Sequence, residues 1–253
     1  MLLLLDIGNT HTHLGLANSK RVLRQANIET RLWFQNGARS AIEQFIGEQK
    51  IEFAAYCSVV PKATARCAQF LKRARFKSVG LNHKNIAGVG IDYPRPQTIG
   101  TDRLANAIAA RHFHGAPVIV VDFGTAVTFD VVNASGNYVG GIIAPGLSAM
   151  TDYLHEKTAL LPKIEIREPR GVIGKNTEQA MLVGAVHGYR GLIRGLLQQL
   201  QVELKSTRLP VIATGGCAGL IAKKMPEITA VQPNLTLEGL RLLALEHLGP
   251  AQS

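Results

Sequence analysis

The sequence predicts an α/β protein made of two related halves, and three observations carry that prediction. The first is the stretch Leu2-Leu3-Leu4-Leu5-Asp6-Ile7-Gly8-Asn9-Thr10, where a short apolar run meets Asp, then Gly and small polar residues. The second is Val118-Ile119-Val120-Val121-Asp122-Phe123-Gly124-Thr125-Ala126, which has the same grammar and places its Asp 116 residues after the first. The third is element order: strands come first in each half, and alternating helices and strands follow. A fainter echo, Val211-Ile212-Ala213-Thr214-Gly215-Gly216, runs a strand into two glycines without the Asp. The halves divide the chain at 1–115 and 116–253.

Each element has a local reason. The short apolar run of four leucines reads as a buried strand. Gly8 offers either a positive φ or a close backbone approach for a ligand. Thr12, Leu14 and Leu16 alternate with His13, Gly15 and Ala17, a second strand pairing back in a hairpin, with His11 and His13 on one face. Val22 to Ile28 reads as a third strand and Ala38 to Glu48 as a helix. Phe53 to Val60 is a strand closed by Pro61, and Ala63 to Arg73 is another helix. Residues 82–99 are loop-like; Gly88-Val89-Gly90 there lacks the third glycine and the helix of a dinucleotide fingerprint. The run from Leu104 to Arg111 is rich in Ala and Leu and predicts a helix.

In the second half Val127 to Val132 and Tyr138-Val139 are strands, the latter leading into Gly140-Gly141-Ile142-Ile143-Ala144-Pro145-Gly146. Its double glycine and Pro-Gly corner read as backbone packed against a ligand or the opposite half. Leu147 to Leu160 is a helix, and Pro162 to Pro169 is extended. Gly171 to Thr177 fails as a P-loop because Asn176 follows the lysine; Asn176 or Thr177 instead caps a helix from Glu178 to Leu200. Gly184, Gly188, Gly191 and Gly195 make one stripe along it, each costing about 1 kcal/mol relative to Ala. Close packing within the monomer or against a second copy would offset that. Helices at Ala218–Lys224 and Leu237–His247 end the chain, before a frayed tail from Gly249.

Composition narrows the classes. With 46% hydrophobic and 18% charged residues the chain buries a full core. Three cysteines without C-x-x-C spacing argue against a disulfide framework or zinc and fit a reducing cytosol. Asp6 interrupts the N-terminal apolar run before a signal sequence forms, and no stretch is long enough to span a membrane. The net charge of +10 suits an anionic substrate or a nucleic-acid partner. However, its densest cluster, Lys72 to Lys77, reads as a solvated helix end, and no nucleic-acid-binding signature accompanies it.

Two features point to chemistry. Glycine-containing turns after strands cradle phosphate through backbone N–H groups, and an Asp beside them holds a cation or water rather than phosphate itself. The second feature is Gly100-Thr101-Asp102-Arg103, opening a helix. Thr101 or Asp102 there is an ordinary N-cap, but Arg103 in the first turn opposes the macrodipole and marks a place where an anion docks.

These motifs together resemble the superfamily of acetate and sugar kinases, heat-shock chaperones and actin, and within it the type III pantothenate kinases. The matching stretches are Asp6 to Thr10, Gly100 to Arg103, Asp122 to Ala126, Gly140 to Gly146, Asn176-Thr177 and Thr214 to Gly216. The resemblance implies two ribonuclease-H-like halves with a nucleotide cleft between them, a homodimer, and ATP-dependent phosphorylation of pantothenate, the first step of coenzyme A synthesis. It implies that Asp6, Ile7, Gly8, Asn9, Thr10, His11, Thr12 and His13 line the ATP phosphates and that Thr125 touches ATP. Asp102 is then the general base, Arg103 holds the pantothenate carboxylate, and Tyr93, Gly100 and Thr101 complete that pocket. Asp122 binds a monovalent cation, potassium or ammonium; Mg²⁺ accompanies ATP; Thr177 reaches the substrate across the dimer interface. The chain departs from the family in Thr101, often Ala, and in Pro96 to Ile99, which lacks acidic residues. Competing readings are a non-catalytic regulator binding protein or nucleic acid, and a kinase of the same superfamily with another small acceptor.

Overall fold

The computed structural model describes residues 1–206 and 209–249. The chain forms two compact units: residues 1–115 with 136–139 and 234–253, and residues 116–135 with 140–233.

In the first unit β1 (Leu2–Ile7), β2 (His11–Ala17) and β3 (Val22–Glu29) form an antiparallel meander. After α1 (Ala38–Ile46), β4 (Phe53–Ser58) lies parallel to β1 on its other side. After α2 (Pro61–Arg73), β5 (Ser78–Gly80) pairs parallel to β4. The sheet order is β3-β2-β1-β4-β5. Leu2 to Leu5 are all 3% exposed or less, as a central strand covered on both faces must be. On one face Leu3, Leu5 and Ile7 join Ile42, Cys67 and Leu71 in one core cluster. Pro61 sits at the start of α2, where its missing N–H is harmless, and Lys72 and Arg73 close its last turn, the favourable end for cations. The basic run is therefore a helix end.

A two-residue strand, β6 (Gly90–Ile91), and a single 3₁₀ turn at Pro96–Thr98 interrupt the 82–99 loop, which leads to α3 (Thr101–His114). The cap of α3 is Gly100, with no side-chain capping bond, so neither Thr101 nor Asp102 serves as the N-cap.

The second unit repeats the plan. Strands β7 (Val118–Phe123) and β8 (Ala126–Val132) form an antiparallel hairpin, and β9 (Asn137–Pro145) flanks β8. After α4 (Leu147–Lys157) a stretch with no helix or strand reaches α5 (Thr177–Val183). A π turn at Gly184–Gly188 joins α5 to α6 (Tyr189–Glu203), so the long predicted helix is continuous but widened at two of its glycines. Then β10 (Val211–Thr214) pairs parallel to β7, and after α7 (Ala218–Ala222), β11 (Ala230–Val231) pairs parallel to β10. The second sheet runs β6-β9-β8-β7-β10-β11, with β6 parallel to β9 at its edge; without β6 its order is position for position that of β3-β2-β1-β4-β5. Both sheets are the mixed, ribonuclease-H-like arrangement.

The last helix, α8 (Leu235–Leu248), belongs to the first unit and packs on α3. A Cβ on Gly239 would fall 2.0 Å from the Ala105 carbonyl oxygen, so glycine alone allows the contact. Thr236 Oγ1 donates to Asn106 Oδ1 at 2.8 Å, satisfying a buried amide. The tail beyond Gly249 lies outside the described residues.

Candidate active site

The first loop is a four-residue connection between the paired residues Ile7 and Thr12, closed by the Gly8 N–H donating to His11 O at 3.0 Å. Gly8 does not take a positive φ. Asn9, Thr10, His11 and His13 are exposed, with His13 Nδ1 2.7 Å from Asn27 Oδ1. Thr12 is fully buried. Its hydroxyl lies 3.1 Å from Thr30 Oγ1 and accepts the Trp33 Nε1–H at 3.0 Å. Thr30, the first residue after β3, props the loop from below: its hydroxyl donates to Gly8 O at 2.7 Å and its N–H to Thr10 O at 3.0 Å. Nothing in the sequence marks that threonine.

Asp6 and Cys57 are register partners on the parallel strands β1 and β4, and the Cys57 thiol donates to Asp6 Oδ1 at 3.3 Å. Burial and the neighbouring carboxylates of Asp6 and Asp102 hold that thiol far above its ordinary pKa, so it stays a neutral donor. One residue on, Ser58 meets Thr101: the Thr101 hydroxyl accepts the Ser58 N–H at 2.8 Å and donates to Ser58 O at 3.0 Å. This reciprocal pair fixes the start of α3 to the strand ends that carry the loop.

Asp102 follows on the first turn of α3, partly buried, with Oδ1 accepting the Arg103 N–H at 2.8 Å. Burial raises its pKa, opposed by that hydrogen bond and by the Arg103 charge. A Cβ on Gly100 would lie 2.5 Å from Asp102 Oδ1, so the glycine is what leaves the carboxylate its orientation. Arg103 lies over the ring of Tyr138, and Tyr93 packs against the same ring. Tyr93, Gly100, Thr101, Asp102 and Arg103 thus gather in the first unit with Asp6.

The second loop is shorter, three residues between the paired Phe123 and Val127. Thr125 is exposed, and its carbonyl accepts the Gly146 N–H at 3.1 Å. A Cβ on Gly146 would sit 2.2 Å from that oxygen, so the Pro-Gly corner packs tightly on the loop of its own half. Thr177 is exposed at the start of α5, beside Asn176, whose Oδ1 caps the helix by accepting the Gln179 N–H at 2.9 Å.

A family model for type III pantothenate kinase matches residues 2–199. The chain belongs to the type III pantothenate kinase family. It is 45% identical to the type III pantothenate kinase of Akkermansia muciniphila over 96% of this chain and 97% of that one. It is 41% identical to that of Methylacidiphilum infernorum over 96% and 87%. Among solved structures, ethanolamine utilization protein EutJ from Carboxydothermus hydrogenoformans shares the fold at TM-score 0.59 and 15% identity, over 95% of this chain and 89% of that one.

In this pantothenate kinase family member Asp122 lies against the backbone that follows β10. Its register partner on β10 is the buried Thr214, and a Cβ on Gly215 would fall 2.5 Å from Asp122 Oδ1. Gly215, at φ +89°, thus brings backbone against the carboxylate. Among the described residues no group of three metal-ligating side chains forms, and no helix is long and apolar enough to cross a membrane.

Proposed function

We propose that this chain transfers the γ-phosphoryl group of ATP to the hydroxyl of pantothenate. The observation that carries the reading is the coupling of Asp102 to the first loop. Cys57 and Ser58, adjacent at the end of β4, bind Asp6 and Thr101 respectively, so phosphate loop and base ride on one rigid strand end. Phosphoryl transfer asks chiefly for positioning and charge neutralisation, and a base must stand within hydrogen-bond reach of the hydroxyl it deprotonates. Asp102 takes the pantothenate hydroxyl proton; its burial-raised pKa makes it a better acceptor than a solvated carboxylate. Arg103 holds the substrate carboxylate with its planar guanidinium, and Tyr93, Gly100 and Thr101 border it. For Gly100 and Thr101 the contact is through backbone, since the Thr101 hydroxyl is engaged by Ser58.

Residues Asp6 to His13 line the ATP phosphates, with Thr12 acting from within through its backbone, and Thr125 contacts the nucleotide. Asp122 holds potassium or ammonium, and Mg²⁺ enters with ATP. When bound, these cations supply the positive charge that a P-loop lysine supplies elsewhere.

The protein acts as a homodimer, with Thr177 completing the partner's substrate pocket. Gly184, Gly188 and Gly191 are exposed, and no described atom of the chain outside the helix's own backbone lies within 4 Å of a Cβ built on any of them or on Gly195. Their cost, about 1 kcal/mol each, finds no offset in packing within the chain. A cytoplasmic setting, where Cys57, Cys67 and Cys217 stay free thiols, belongs to the same reading.

ATP-dependent phosphorylation of pantothenate, assayed in potassium and then in sodium, tests it, with Asp102→Asn as control. The expected result is potassium-dependent turnover that the substitution abolishes. Folded wild-type protein without turnover in either salt would sink the proposal. Gly188→Leu is expected to give a monomer by light scattering; a dimer of unchanged affinity would place the interface elsewhere.

A further inference from the structure

Tyr138 is the second residue of β9, carries no assigned role, and is 0% exposed. Three contacts converge on it, all inside the first unit. The Arg103 guanidinium carbon stands 5.8 Å from its ring centroid, within reach of the attraction between a cation and the negative face of an aromatic ring. The Tyr93 ring meets it edge-on, centroids 6.3 Å apart at 62°. Its carbonyl accepts the Asp92 N–H at 2.9 Å, and Ile91 is its register partner. In the neighbouring register pair, Gly90 faces the Asn137 side chain, whose Oδ1 would fall 1.9 Å from a Cβ there.

We infer that Tyr138 is the positioning residue of the acceptor pocket, setting the Arg103 guanidinium by its ring face and Tyr93 by its edge, and so sets selectivity for an acceptor carboxylate. The inference rests on the pantothenate kinase reading and names the group that orients its substrate-binding arginine. Arginine has a long rotamer-rich stem, and ordering it for one carboxylate costs conformational entropy. A ring already in place beneath the guanidinium pre-pays part of that cost. The backbone bond to Asp92 holds the loop carrying Tyr93 on the same residue, so both walls of the pocket take their register from one side chain and its carbonyl. An aliphatic residue would fill the space without selecting an orientation for a cation.

Steady-state kinetics with pantothenate and with its alcohol analogue, which lacks the carboxylate, test the inference. The proteins are wild type, Tyr138→Leu, Tyr138→Phe, and Tyr138→Phe made with progressively fluorinated phenylalanines, which weaken the ring face while nearly keeping its shape. Tyr138→Phe is expected to stay within about twofold of wild type. From the plain to the fully fluorinated ring, KM for pantothenate rises about tenfold, while KM for ATP and for the alcohol moves less than about twofold. Tyr138→Leu, where it folds, matches or exceeds the fluorinated limit. A flat pantothenate KM across the fluorinated series would overturn the inference, and so would a parallel rise for the alcohol and ATP, the mark of a merely structural ring. Wild-type protein inert toward pantothenate would instead overturn the kinase reading and this one with it, an outcome visible before any variant is made.

Discussion

The two halves present the same strand–Asp–x–Gly turn, yet what leans on each aspartate differs. Beside Asp6, the parallel strand offers Cys57, a neutral thiol donor, and then Ser58, which grips the helix of the proposed base. Beside Asp122, the equivalent strand offers Thr214 and then Gly215, where backbone closes to within a Cβ radius of the carboxylate. The first site is built of side chains that couple one element to the next. The second is built of backbone pressed close by two glycines, Gly146 and Gly215. The two sheets share a common frame, and the residues at the end of the parallel strand beside each aspartate make the difference between the halves; in the function proposed above, one serves the acceptor and base and the other a cation.

The hardest test of that division is Asp102→Asn. Turnover should fall by about 10²–10⁴-fold, measured as kcat at saturating pantothenate. The same variant should be more heat-stable at neutral pH. A raised pKa in the folded state means the protonated form is favoured by folding, so that contribution is complete below the unfolded pKa and is lost as pH rises through the folded one. Asparagine removes the penalty, and a lower melting temperature would contradict the burial argument. In the wild type, the acid limb of kcat should lie above the ordinary value of a solvated aspartate.

Next in size is the contrast between the aspartates. Asp6→Asn should lose most activity in potassium and in sodium alike, whereas Asp122→Asn should retain a residual rate that no longer distinguishes the two ions. Equal responses would erase the distinction drawn between the halves. A smaller effect is expected on folding: Gly215→Ala, at φ +89° and against Asp122, should cost about 1–3 kcal/mol in denaturant titration. Gly8→Ala, whose Cβ would lie 3.1 Å from His11 O without a positive φ, should cost less than about 1 kcal/mol. Between these two lies Thr30→Val, expected to lose about 1–2 kcal/mol as Gly8 O and the Thr12 hydroxyl lose a partner, with a modest rise in KM for ATP.

Most of the secondary structure was legible because each element announces itself locally: Leu2 to Leu5 as a buried strand, Pro61 as the end of another, Asn176 or Thr177 as a cap. Errors fell where long-range contacts override local preference. Thr101 looks like a cap residue but spends its hydroxyl on Ser58, and Thr12 sits in the motif yet points inward to Trp33. Tyr138 read only as the start of a strand, because a ring's partners 35 and 45 residues earlier, Arg103 and Tyr93, leave no periodic trace.

The sequence by itself determined the duplication, the α/β class, the two aspartate turns and the Gly-Thr-Asp-Arg helix start, since apolar runs, turn residues and motif spacing are properties of neighbouring positions. Only the tertiary structure decided which side chains share a site. It brought Cys57 to Asp6, Thr101 to Ser58 and Tyr138 beneath Arg103, and it returned α8 to brace α3 through Gly239. Such pairings depend on sheet order and close packing across many residues of chain, where burial and hydrogen-bond satisfaction, not local propensity, choose the partner.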